Sequence, residues 1–377
     1  MKKIVPHVVV IALFAVIALA FFYPVLQGKG IFQSDIVQYT GMAKERNDYR
    51  QTENKETYWT NSAFGGMPTY QLGAQYPNDF VKQLDRTLRF LPRPADYLFL
   101  YFIGFYVLLL VLKVDYKNAF LGAIAFGLST YLIIILGAGH NAKAHAIAYF
   151  APLLAGILLV FQRKYLWGGL LTAVALALEI CANHFQMTYY LLLLVLLLGV
   201  GFLYKAIKEK QLKDFAKAMA VLLGAVVVSV LANATLLLST REYADWSTRS
   251  KSTLTITPDG TPKEQNSGLS KEYITEYSYG ISESLNLIVP RLFGGSNHEN
   301  LGEDSKTYQY LVQLGVPPMQ ALQETQRLPT YWGDQPIVAA PAYIGAVVFF
   351  LFILALFVVK GRIKWWLLTG SVMALVL

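Results

Sequence analysis

Asp35 stands about a dozen residues beyond the first long apolar run, residues 4–23, at the head of a polar loop. A carboxylate delivered to a membrane surface can take a proton from an acceptor hydroxyl. It can also hold a divalent cation, Mg or Mn, beside a phosphate. Its surroundings, QSDIVQY at 33–39, read as a helix entry with Ser34 or Asp35 as N-cap and Gln38 in the following turn. Capping alone would account for the aspartate. The two uses are compatible, because a capping carboxylate is rigidly aimed. A second constellation is GAGHNAKAH at 137–145, where His140, Lys143 and His145 fall within six positions. An ammonium beside imidazoles suits a phosphate or pyrophosphate carried by a lipid. A snorkelling lysine and capping histidines form the plainer account. Neither His-Glu-x-x-His nor Cys/His spacing supports zinc.

A third group is Glu179 with Asn183, His184 and Gln186. Acids inside apolar segments are costly unless they face a cavity or a partner, so this segment reads as the polar wall of a cavity or as an interhelical hydrogen bond. Between 58 and 70, Trp59 and Asn61 lie among aromatics, amides and a glycine pair. That mixture suits stacking on sugar rings as well as an interfacial aromatic belt. A later hydrophilic stretch carries Arg241, Arg249, Arg291 and Asp334, with a Thr-, Pro- and Gly-rich middle at 253–268 that reads as a mobile loop. An arginine there could serve a phosphate, although most loop arginines do not.

The elements that must position these groups are membrane spans. The 377 residues are 55% hydrophobic and 15% charged, against about 25% charged in a soluble domain. The net charge of +8 is not a nucleic-acid patch, because the basic residues punctuate the ends of apolar segments. One cysteine, Cys181, excludes an intrachain disulfide. The start imitates a signal peptide, but its length and aromatic end favour an uncleaved first span. The apolar windows are 4–23, 97–112, 119–138, 144–161, 167–182, 187–204, 218–238, 343–359 and an incomplete 365–377. A run that stops inside a window suggests the N-terminal part of a longer chain. The run 166–204 must be two helices, hinged at 183–186, since one would be about twice the hydrocarbon thickness.

Lys2 and Lys3, Lys113 and Lys117, Arg163 and Lys164, the lysines from Lys205 to Lys217, then Lys360, Arg362 and Lys364 all fall on alternate sides of successive windows. That side is cytoplasmic by the positive-inside rule, and Lys143 breaks the pattern. The division is therefore a first helix (1–23), a first extracytoplasmic loop (24–96), a six-helix region (97–238), a second extracytoplasmic loop (239–341) and C-terminal helices (342–377). Chemistry on the outer face has no ATP, and no Walker-type loop is present.

The phrases QSDIVQY, YWTNSAFGGMPTYQ, GHNAKAHAIAYFAPLLAG, ANHFQMTYY, EYSYGISESLNLIVPRLFGGSN and YWGDQPIVAAPAYIGA, in this order, resemble the YfhO-like bacterial membrane proteins of the Bacteroidetes type. The resemblance implies an all-α polytopic protein with a GT-C-like helix bundle in the bacterial cytoplasmic membrane. It further implies a glycosyltransferase that uses a polyprenyl-phosphate-linked sugar donor outside the cytoplasm and a cell-envelope glycan or lipid as acceptor. Asp35 takes the catalytic position by that analogy. GT-C members often pair two acids there, whereas this chain has Gln33 two positions before Asp35, which weakens a two-aspartate metal site. On this reading His140, Lys143, His145 and Arg291 hold the lipid phosphate. Trp59, Asn61, Glu179, Asn183, His184 and Asp334 line the acceptor cavity. Two other classes stay open: a transporter or flippase of lipid-linked intermediates, and a non-catalytic envelope assembly protein.

Overall fold

The structure is a computed structural model that describes residues 4–247, 250, 255–262, 269–361 and 363–376. Lys2, Lys3, Arg249, Arg362 and positions 253–254 and 263–268 of the Thr/Pro/Gly-rich stretch lie outside the described residues. Among the described residues the chain is helical apart from one short hairpin, β1 (Trp59–Thr60) with β2 (Met67–Pro68). It divides into two compact units: Met1–Leu128, Ile135–Ser250 and Trp365–Val372 form the first, and Ser129–Ile134, Lys251–Lys364 and Met373–Leu377 the second.

Helices of the first part are α1 (Val5–Phe21), α2 (Ser34–Met42), α3 (Lys44–Glu53), α4 (Phe80–Leu88), α5 (Ala95–Val111) and α6 (Tyr116–Gly127). There follow α7 (Thr130–Ala138), α8 (Asn141–Ala148), α9 (Phe150–Phe161), α10 (Tyr165–Cys181), α11 (Phe185–Lys208), α12 (Leu212–Ala232) and α13 (Ala234–Asp245). Phe14 of α1 is fully buried, stacked between Phe102 and Phe120 at 5.3 Å from each ring. Where two helices must approach closely, a side chain is missing. A Cβ on Gly156 of α9 would stand 2.6 Å from the Thr172 nitrogen of α10, and one on Gly168 of α10 would stand 2.5 Å from the Val160 nitrogen. Small residues at such crossings are how helices pack when both solvent and neighbour are apolar. Polar bonds add to it: Ser229 Oγ of α12 donates to Ala173 O at 2.8 Å, and Asn233 Nδ2 donates to Ala177 O at 3.0 Å.

Among the described residues, three helices are long and apolar enough to cross a membrane: Asn141–Phe161, which runs through α8 and α9, Phe185–Lys208 and Leu212–Ala232. The window 119–138, expected as one span, is instead the pair α6 and α7, bent by 45° at a break after Gly127. The other windows become shorter apolar helices, and α1, α5 and α10 have 17 residues each. At 1.5 Å per residue these measure about 26 Å, a little under a hydrocarbon core of about 30 Å. The run 166–204 breaks between Cys181 and Phe185, with Asn183 in a left-handed conformation (φ 56°) that ends the helix.

The second unit contains α14 (Lys271–Thr275), α15 (Lys306–Gln313), α16 (Pro318–Glu324) and α17 (Ala346–Val358), while α18 (Ile363–Val376) falls mostly within the first. Its organising residue is Glu283, fully buried, whose carboxylate accepts from the Gly280 amide, the Tyr331 hydroxyl and the Asp334 amide. The phrases YSYG and YWGD thus close on one acid. Phe293 and Trp332 stack beside it at 4.4 Å.

Candidate functional site

The site in the first unit begins with Gln33, not with the aspartate. Gln33 is extended (φ −130°, ψ 113°) and occupies the N-cap position of α2, so Ser34 and Asp35, both expected as caps, lie in the first helical turn instead. Gln33 makes no side-chain cap bond because its amide is engaged elsewhere. Its Nε2 donates to the Leu136 carbonyl, and its Oε1 accepts from Asn141 Nδ2 at 3.3 Å. One side chain therefore ties the entry of α2 to the turn between α7 and α8. This is the physical use of the residue that stands where a second metal-binding acid was sought.

That turn approaches closely because Gly139 has no side chain and a φ of +92°; a Cβ there would lie 3.0 Å from Gln33 Cβ and 3.5 Å from Asp35 Cβ. Gly139→Ala is expected to cost about 1–3 kcal/mol through backbone strain alone and to push Gln33 and Asp35 away from the turn. Comparison of thermal unfolding with activity checks it: activity should fall further than stability, and an equal fall would deny the turn a positioning role.

His140 follows as the N-cap of α8. Its Nε2 lies 3.7 Å from Asp35 Oδ2, with the side chains 47% and 54% exposed. The pair is thus half-exposed and close, but longer than a direct hydrogen bond, so both groups can turn toward a bound molecule. Burial and the Lys143 ammonium lower the His140 pKa, against the opposing pull of Asp35. Both influences favour the neutral ring. Burial and the same ammonium lower the pKa of His184. Lys143 accordingly acts on both imidazoles; nearby on α11, the Tyr190 hydroxyl accepts from Gln186 Nε2 at 2.9 Å.

Lys143 lies in the first turn of α8, where the helix dipole disfavours a cation. Its placement there works against the local structure. The Asn141 amide already donates to the Gly139 carbonyl at 2.7 Å, so the Ala142 and Lys143 amides, together with the ammonium, make the receptor for an oxyanion.

His145 departs from this grouping. Two positions beyond Lys143 it is rotated by about 200° around the helix, onto the core side. There it is buried and bonds Asp85 of α4, which also accepts from Tyr149 OH at 2.8 Å and from Arg89 Nε and NH2 at 3.0 and 2.7 Å. Arg89 reaches Asp96 at 3.2 Å and lies over the Tyr97 ring. Burial pushes the Asp85 carboxyl up, but the bonds and charges of His145 and Arg89 outweigh it and hold the group well below the usual carboxylate range. His145, expected among the phosphate-binding residues, is instead engaged by Asp85 as a fastening between the first loop and the bundle.

The Glu179 segment forms a buried polar seam. Glu179 Oε1 accepts from Thr188 Oγ1 at 2.8 Å, and Asn183 Nδ2 donates to Gln71 Oε1 at 3.0 Å. Gln71 Nε2 in turn donates to Thr240 at 3.0 Å. Glu179 Oε2, Asn183 Oδ1 and His184 Nδ1 are buried without a hydrogen-bond partner among the described residues. Trp59 and Asn61 are joined by an indole N–H bond of 3.1 Å. They lie on the hairpin that packs beneath Met42, about 10 Å along α2 from Asp35. Arg291 and Asp334 belong to the second unit. Arg291 pairs with Glu299 at 2.7 Å, and Asp334 sits at the Glu283 centre.

Sequence reading missed Asp85, Arg89 and Tyr149. The spacing of Asp85 with Arg89, and of His145 with Tyr149, is one helical turn, and that was the available signal. Among the described residues no three His, Cys, Asp or Glu side chains converge to hold a metal ion. Asp35 and His140 supply two donors at most. No known protein family, curated protein or solved structure matches this chain.

Proposed function

We propose that this chain is a GT-C-type glycosyltransferase of the bacterial cytoplasmic membrane. It would take sugar from a polyprenyl-phosphate donor and give it to a cell-envelope acceptor on the outer face. The observation that carries this reading is the juxtaposition of a half-exposed carboxylate, an imidazole and an ammonium at the head of α8.

The acceptor hydroxyl attacks the anomeric carbon, the bond from that carbon to the phosphate oxygen breaks, and the configuration inverts. Asp35 receives the hydroxyl proton. Lys143, with the Ala142 and Lys143 amides of α8, takes up the charge that collects on the departing phosphate, while His140 hydrogen-bonds beside it. Positioning and charge stabilisation supply most of the acceleration, because phosphate is already a good leaving group. A divalent cation, if bound, would sit against Asp35 and His140 and neutralise phosphate charge.

Lys143→Gln removes one charge-assisted contact, worth about 1.5–3 kcal/mol, and is expected to raise the KM for the lipid donor by about 10- to 150-fold. Steady-state kinetics in detergent or liposomes reads this out. An unchanged KM would take the phosphate away from Lys143.

A second reading, transport of lipid-linked intermediates, is favoured by the broken pair α6–α7 and by the unpartnered polar atoms of the Glu179 seam. Lipid flipping in liposomes without any sugar transfer would establish it over the transferase.

A further inference from the structure

At the opposite end of the first unit, four helices meet around a cleft of about 60 Å³, formed by the last turns of α9 and α11 and the first turns of α10 and α12. Its floor is aromatic: Phe161 stacks on Phe202 at 3.9 Å and lies 5.9 Å from Phe215. Its rim is cationic, with Arg163 and Lys205 lining it. Lys217 Nζ lies 4.6 Å over the Tyr165 ring at the same edge. We infer that this cleft binds the phosphate headgroup of an anionic phospholipid from the surrounding membrane.

Two features support it. The two connections that border the cleft carry Arg163, Lys164, Lys205, Lys208, Lys210, Lys213 and Lys217 against Glu209 and Asp214. Such a surplus attracts an anionic leaflet. Next, the helices α5, α9 and α11 each end on a basic residue in the left-handed conformation: Lys113 (φ 64°), Arg163 (φ 63°) and Lys210 (φ 55°). Glycine or asparagine is the usual choice at such a cap, so the charge is kept at a conformational cost.

Asp214 also lines the cleft and pairs with Arg163 through NH2 at 2.6 Å. A guanidinium has five N–H donors, so that bond leaves others to meet a phosphate.

The test is lipid retention by the full chain, purified in detergent with phosphatidylglycerol or phosphatidylcholine and read by native mass spectrometry. The wild-type chain is expected to keep phosphatidylglycerol selectively. The double variant Arg163→Gln, Lys205→Gln should lose about 10- to 30-fold of that preference. Lys208→Gln with Lys213→Gln removes the same charge without touching the cleft lining, and should cost distinctly less of that preference. Equal loss in both variants would show attraction by net charge and no site. Competition by millimolar inorganic phosphate as effective as that by the lipid would show a small-oxyanion site and overturn the lipid assignment. A variant that no longer elutes as a single species is replaced by Lys205→Gln alone, with the same reading of outcomes.

Discussion

Asp35→Asn is expected to lower sugar transfer by about 10²- to 10⁴-fold, the usual contribution of a positioned general base. The substitution keeps the shape of the side chain and removes its capacity to accept a proton. Asp35 is half-exposed, and its carboxylate makes no hydrogen bond that sustains the fold, so stability and insertion should be unaltered. Binding of a polyprenyl phosphate should persist, because in this account the phosphate belongs to Lys143 and the amides of α8. Asp48→Asn gives the matched control: that carboxylate is equally exposed, pairs only with Lys44 one turn away, and should leave transfer within about twofold. Transfer from a membrane pool of lipid-linked sugars, followed by isotope, measures both. Full activity in Asp35→Asn would remove this residue from the reaction.

Asp85→Ala is expected to destabilise the chain by about 3–5 kcal/mol, the range for breaking a buried ion network by deletion of one partner. Arg89 would be left buried with one of its two acids, and His145 and Tyr149 would lose their shared acceptor. Asp85→Asn should cost less, since an amide still accepts from Tyr149. Both variants can be read by thermal unfolding in detergent. The pH dependence has a definite sign. The folded pKa of Asp85 is depressed, so its contribution is fully present above the ordinary carboxylate range. It is lost only as pH falls below that range toward the folded value. Stability that instead declined between pH 7 and 5 in the wild type, and not in Asp85→Asn, would contradict the assignment.

The two networks differ in how far they could be read from sequence. Lys143 was legible because orientation logic made it an anomaly: a cation on the side where the other short turns have none. Asn183 was legible as a break, since an apolar run twice the membrane thickness must fold back. His145 was not. It stands as near Lys143 in sequence as His140 does, yet helix rotation sends it to the opposite face, and its partner Asp85 is 60 residues away. No local pattern encodes that pairing. Gln33 was seen as a missing acid because composition shows what a residue is not. Its two bonds to Leu136 and Asn141 depend on a turn more than 100 positions later. The bend between α6 and α7 was also hidden, because a break between two apolar segments leaves hydropathy unchanged.

The claim that Lys143 and the head of α8 receive a lipid phosphate beside Asp35 and His140 can be tested by photolabelling. A polyprenyl phosphate with a diazirine in its first isoprene unit would be crosslinked to the full chain in liposomes, and the adducts mapped by mass spectrometry. Labelling is predicted on the peptides that contain residues 33–40 and 139–145, reduced at least about tenfold by Lys143→Gln. Labelling confined to other segments, or undiminished in that variant, would contradict the site.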